Sequence, residues 1–209
     1  MSKKRVIVLD TETTGLDAKS GDEVIEIGLV EIIDGEIGVT HNWRYKPNKP
    51  INIQAQNVHS LNYFDLIDCP KFNSLELKKL GEFLNGDELI IHNAAFDIGM
   101  LDVSYERYNL KFSDYHGQVI DTLKIARSVF KGTNQKCNLD ALCDYYMIDK
   151  TSRVYHGALI DCFLLAQVFN KLLPDYFKEG NYLESSNNSE NISFDTNFKR
   201  FSLWNFLSS

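Results

Sequence analysis

Arg5-Val-Ile-Val-Leu-Asp10-Thr-Glu12-Thr-Thr-Gly15 is the stretch that decides the fold. From Arg5 to Asp10 it is short, apolar and β-branched, which predicts a strand buried on both faces of a sheet. Asp10 closes that strand and Glu12 follows two positions later. In extended chain, residues i and i+2 project to the same side, so both carboxylates leave the strand end together. One acid at a strand end also reads as a turn or cap residue. Thr13-Thr14-Gly15 makes that reading less comfortable, because Gly15 permits a tight turn whose backbone N–H groups could cradle a terminal nucleotide.

Outward from this strand, Val24–Ile33 reads as a second strand, and Asp34-Gly35 signals a hairpin turn into an alternating strand near Val39–Tyr45. Pro47 and Pro50 break the pattern. Helical spacing runs over Ser74–Leu84 and stops at Asn85-Gly86. Glu88–His92 predicts a short strand, Ala95–Tyr108 a helix, and Val119–Ile120 a further short strand. Helices are expected over Thr122–Phe130, Leu139–Tyr146 and Gly157–Leu173. Antiparallel strands followed by strands alternating with helices imply an α/β fold with a mixed sheet.

The 209 residues divide into a domain at 1–178 and an appendage at 179–209. Ser185–Asn191 lacks any apolar residue and reads as a flexible linker, whereas Phe198–Leu207 is apolar and aromatic again. A hydrophobic content of 44% supplies a core without staples. Cys69, Cys137, Cys143 and Cys162 show no metal-ligand or C-x-x-C spacing and read as free thiols. No apolar run approaches the ~20 residues of a bilayer span, and none resembles a secretory signal, so no membrane contact and a cytoplasmic setting are expected. A net charge of −7 argues against a protein that grips long nucleic acid through phosphates, but not against one that takes a few nucleotides into a cleft.

Asp161 and Asp97 are harder to explain as ordinary surface acids. On a helix, Asp161 shares its face with Leu164, Leu165 and Val168, and a carboxylate in an apolar stripe is costly without a cation or hydrogen bonds. An ion pair is the alternative, yet no Lys or Arg lies one turn away on that helix. Asp97 shares its face with Met100, Leu101, Ser104 and Tyr105, and also reads as an N-terminal helix residue favoured by the dipole. Asp10, Glu12, Asp97 and Asp161 together suggest a shared site for a hard cation with oxygen ligands. Two such ions ~4 Å apart can activate water and stabilise the leaving oxygen of a phosphodiester. His156, five residues before Asp161, stands ~140° around an ideal helix from it. It is therefore expected at the helix start or in the preceding loop, where it could act as general base.

Asp10-Thr-Glu12-Thr-Thr-Gly15, His92-Asn93-Ala94-Ala95-Phe96-Asp97 and His156-Gly157-Ala158-x-x-Asp161 resemble, in order and spacing, the three motifs of DEDDh exonucleases. The His-x₄-Asp form of the third motif marks the histidine branch. With Asn138–Cys143, the likeness extends over roughly residues 4–173 to the proofreading (epsilon) subunits of bacterial DNA polymerase III. It implies a ribonuclease H-like fold, two Mg²⁺ or Mn²⁺ ions, and removal of mispaired nucleotides from DNA 3′ ends, single-stranded or frayed. It makes Asp10, Glu12 and Asp161 direct metal ligands, has Asp97 bind the second metal through water, and makes His156 the base. It also assigns terminal-nucleotide contacts to Thr13, Leu16, Asn93 and Phe96, the last also reading as core. Where such subunits have Gly-Val-His-Gly, this chain reads Asn57-Val58-His59-Ser60, so His59 reads either as DNA-facing or as a plain surface histidine. The resemblance implies that the tail binds the polymerase catalytic subunit. Arg200–Trp204 resembles a sliding-clamp peptide without its leading Gln, and folding back onto the domain is the alternative. Two other functions compete with proofreading: an exoribonuclease trimming RNA 3′ ends or small oligonucleotides, and a non-catalytic polymerase-stabilising subunit.

Overall fold

The computed structural model describes residues 5–151, 153 and 155–178, so the linker and aromatic segment expected at 179–209 lie outside the described residues. Five strands, β1 (Arg5–Thr13), β2 (Val24–Ile33), β3 (Glu36–Arg44), β4 (Glu88–Ile91) and β5 (Val119–Asp121), form one sheet in the order β3-β2-β1-β4-β5. β1 pairs antiparallel with β2 and parallel with β4, β2 pairs antiparallel with β3, and β4 pairs parallel with β5, giving the expected mixed α/β sheet. β1 is central, and its four apolar residues Val6–Leu9 are buried as the uninterrupted apolar run requires. The hairpin turns at Asp34 and Gly35 with φ of 52° and 91°, the left-handed pair that matches the strands' twist.

Seven α-helices are described: α1 (Ile53–His59), α2 (Tyr63–Leu66), α3 (Ser74–Leu84), α4 (Ala94–Glu106), α5 (Thr122–Val129), α6 (Leu139–Tyr145) and α7 (Ala158–Lys178). The pleat of β1 divides the core between two layers. Val6 and Val8 pack with α5, α6 and α7 on one face, and Ile7 and Leu9 pack with α3 and α4 on the other. The open end of β1 therefore receives one helix from each side of the sheet.

Several bounds shift by one to three residues, and the larger differences from the sequence reading are two unexpected helices and a longer α7. α1 and α2, each under two turns, follow Pro50 and start on the side-chain caps of Asn52 and Asn62; such short elements leave too little periodicity to detect. α7 runs past Leu173 and through Pro174 to Lys178. Leu172 and Leu173 are buried and Tyr176 and Phe177 pack against the same core, which offsets the helical hydrogen bond that proline removes.

Candidate active site

Asp10 and Glu12 lie in the last turns of the β1 pleat on the side of α7, and Asp161 enters from the first turn of α7. One oxygen from each of these three carboxylates falls within 4.8 Å of the others. The approach is set by Gly28, the β2 partner of Asp10. A Cβ there would stand 2.2 Å from the Ala158 carbonyl carbon, so only glycine lets the start of α7 rest on the sheet. Cys162 adds a contact, its thiol donating to the Gly28 carbonyl at 3.2 Å.

Asp97 reaches the same end of β1 from the opposite face. Its Oδ1 accepts from the Thr11 N–H at 3.0 Å and the Thr11 hydroxyl at 2.7 Å, and it is buried. Thr11 was not singled out by the sequence, although its position between two motif acids puts it on the α4 side of the pleat. Asn93, before α4, adopts a left-handed conformation with φ 65° and stays exposed. Phe96 is half-buried against the α3–α4 core layer.

So many acids with so little water alter one another. Burial first, then the charges of Asp97, Glu12 and Asp161, raise the Asp10 carboxyl well above its ordinary value. Burial and the charges of Asp161 and Glu26 push Glu12 to about 8. Burial carries Asp97 to about 7 against the opposing pull of the Thr11 hydrogen bonds. Asp161 Oδ1 is buried with no hydrogen-bond partner among the described residues, an arrangement that is costly unless something positive binds there. Three converging carboxylates, one with an orphan oxygen, fit a hard divalent cation.

The loop before α7 carries His156, as the spacing to Asp161 required. Its Nδ1 lies 3.1 Å from Asp161 Oδ2, and its backbone N–H donates to the Val58 carbonyl at 3.3 Å. The same loop supplies the cation that α7 does not place within one turn of Asp161. Arg153 Nη2 donates to Asp161 Oδ2 and to His156 Nδ1, both at 2.5 Å, while Nη1 meets Asp140 Oδ1 at 2.5 Å. The ion pair with Asp161 thus exists, but eight residues upstream and off the helix, where helical spacing does not look. A cleft of about 680 Å³ opens over Asp10, His92, Asn93, Arg153, His156 and Asp161.

The loop after β1 is also held from behind. Gly15 has no room for a Cβ, which would meet the Asp22 carboxylate at 2.3 Å. Thr13 Oγ1 donates to the Gly15 carbonyl at 2.6 Å. Leu16, next along, is 83% exposed. His59 is buried rather than on the surface. Its Nδ1 accepts from the Leu61 N–H at 3.0 Å, so its proton sits on Nε2 and is donated to the Thr13 carbonyl at 3.2 Å. Burial accordingly lowers its pKa and keeps the ring neutral.

The Exonuclease family matches residues 7–169 of the chain. The DNA polymerase III subunit epsilon of Buchnera aphidicola subsp. Schizaphis graminum is 39% identical over 173 residues, covering 79% of this chain and 73% of that protein. The subunit of the same name from Pasteurella multocida is 40% identical over 171 residues, covering 79% of this chain and 66% of that one. The solved structure of exonuclease X in complex with 5′ overhanging duplex DNA superposes with a TM-score of 0.62 at 25% identity, over 85% of this chain and 94% of that chain. The family match runs from β1 into α7 and so spans every element that contributes to the acidic cleft. This chain belongs to the exonuclease family, metal-dependent hydrolases of nucleic acid.

Proposed function

We propose that the protein removes mispaired nucleotides from DNA 3′ ends as the proofreading subunit of a bacterial replicative polymerase, using two Mg²⁺ or Mn²⁺ ions. The observation that carries this reading is the convergence of Asp10, Glu12 and Asp161 within 4.8 Å, in a chain about 40% identical to relatives named as polymerase subunits. Asp10, Glu12 and Asp161 hold the ions, and Asp97, fastened to Thr11, serves the second. Divalent cations in such a site supply Lewis-acid stabilisation of charge on the phosphate. His156, 40% exposed at the cleft mouth, takes the proton of the attacking water. Exposed Leu16 and half-buried Phe96 offer apolar surface to the terminal base, and Thr13 and Asn93 flank it. His59, with both nitrogens engaged, acts by steadying the Thr13 carbonyl.

Residues 179–209 follow the family match, and we assign them to docking on the polymerase catalytic subunit, with a sliding clamp as a second binding candidate. A negative chain suits this division of labour, because the partner supplies the grip on DNA.

The test is digestion of a fluorescent primer with a 3′ mispair in the presence of Mg²⁺. Wild type should shorten it nucleotide by nucleotide, and Asp10→Ala and Asp161→Ala should each lose at least ~10³-fold in rate. Digestion that survives either change would sink the assignment. Faster trimming of the matching RNA oligomer would identify an exoribonuclease instead.

A further inference from the structure

The acidic cleft also holds a positive side chain. Arg153 is 5% exposed, and its guanidinium is shared among Asp161, His156 and Asp140. Burial works against its charge, but the hydrogen bond and charge of Asp161 more than compensate, and its pKa is raised. The carboxylate it holds through Oδ2, that of Asp161, belongs to the trio that fits a divalent cation, and its other oxygen, Oδ1, is the buried orphan. Its contact with His156 occupies Nδ1, one of the two ring nitrogens through which a base could act. Its third partner, Asp140, lies outside the trio, in the first turn of α6 and half-exposed.

We propose that Arg153 is a positioning residue that serves as the resident counter-cation of the metal-free site, and that a divalent ion loads by displacing its guanidinium. This rests on the reading that Asp10, Glu12 and Asp161 hold the ion. A divalent ion on Asp161 Oδ1 and a guanidinium on Oδ2 of the same carboxylate repel each other at close range, so binding of the ion weakens the guanidinium's hold on Asp161. Displacement frees both Asp161 Oδ2 and His156 Nδ1. Asp140 retains the arm close by. In the metal-free protein the same arm neutralises part of the acidic charge and holds the His156 loop against α7. A residue that merely stabilised the fold would leave metal affinity unchanged or weaken it on removal. A competitor does the opposite.

The experiment is Mn²⁺ titration of wild type, Arg153→Met and Arg153→Lys by calorimetry, with melting curves in EDTA. Arg153→Met should bind Mn²⁺ about tenfold tighter, as expected when one ion-pair competitor is removed, and should melt lower than wild type only when metal-free. Arg153→Lys should fall between the two. In wild type, the Arg153 Nε–H resonance should move on adding Mg²⁺ and stop moving at saturation, a readout that needs no variant. Unchanged or weaker Mn²⁺ binding in Arg153→Met, or an Arg153 resonance indifferent to Mg²⁺, would overturn the proposal. Absence of Mn²⁺ binding in wild type and both variants would instead remove the metal-site reading on which it stands.

Discussion

At Glu12, as at Asp10, charge and burial conflict directly. The Glu12 carboxyl rises from 4.5 to about 8, and that of Asp97 from 3.8 to about 7, chiefly through burial. A carboxyl with a raised folded pKa holds its proton more tightly in the folded state. The stabilisation is complete below the unfolded values and is lost as pH rises through the folded ones. Metal-free protein should therefore melt several degrees lower at pH 8.5 than at pH 5.5. Saturating Mg²⁺ should flatten that slope, since a bound dication stabilises the ionised carboxylates as the proton stabilises the neutral ones. Thermal melts in EDTA and in Mg²⁺ across this window check both halves. A metal-free melting temperature that climbs with pH would contradict the burial argument.

At the scale of elements, Gly28 controls the distance between β2 and α7. Gly28→Ala must push the start of α7 away from the sheet, because its methyl would meet Ala158 backbone at 2.2 Å. Overpacking of this kind costs ~1–3 kcal/mol, measurable by urea unfolding. Asp161 moves with the helix, so Mn²⁺ affinity should fall as well. Intact affinity and stability in this variant would show that α7 can shift without consequence. The same elements show where sequence reading ends. Ser74–Leu84 is legible to the residue, because the helical spacing and the Asn85-Gly86 stop agree, and the structure adds an Asn73 cap. The pairing of Asp10 with Glu12 followed from strand geometry alone. Arg153 was not legible: helical spacing reports neighbours on the same helix, whereas this cation arrives from a loop. His59 escaped for the same reason, since nothing local to it announces that Thr13 and Leu61 will enclose both its nitrogens. Gly28 does carry a local signal, as the one glycine within a mainly apolar strand.

Across the whole molecule, the family match ends at residue 169, before the aromatic segment begins. Deleting Glu190–Ser209 should therefore leave digestion of a short single-stranded oligonucleotide within about twofold of wild type, while co-purification with the polymerase catalytic subunit is lost. Retained co-purification would move the docking surface onto the folded domain. The acids themselves are scattered along the chain: Asp10 and Asp161 are 151 positions apart, and they meet only because α4 and α7 close on β1 from opposite faces. Pairings this distant are the slow, late events of folding. A partly made chain leaving the ribosome holds Asp10 and Glu12 long before Asp161 exists. Cutting power thus arises in one step, with the helix that carries Asp161, and a nascent or broken copy remains harmless to the genome around it.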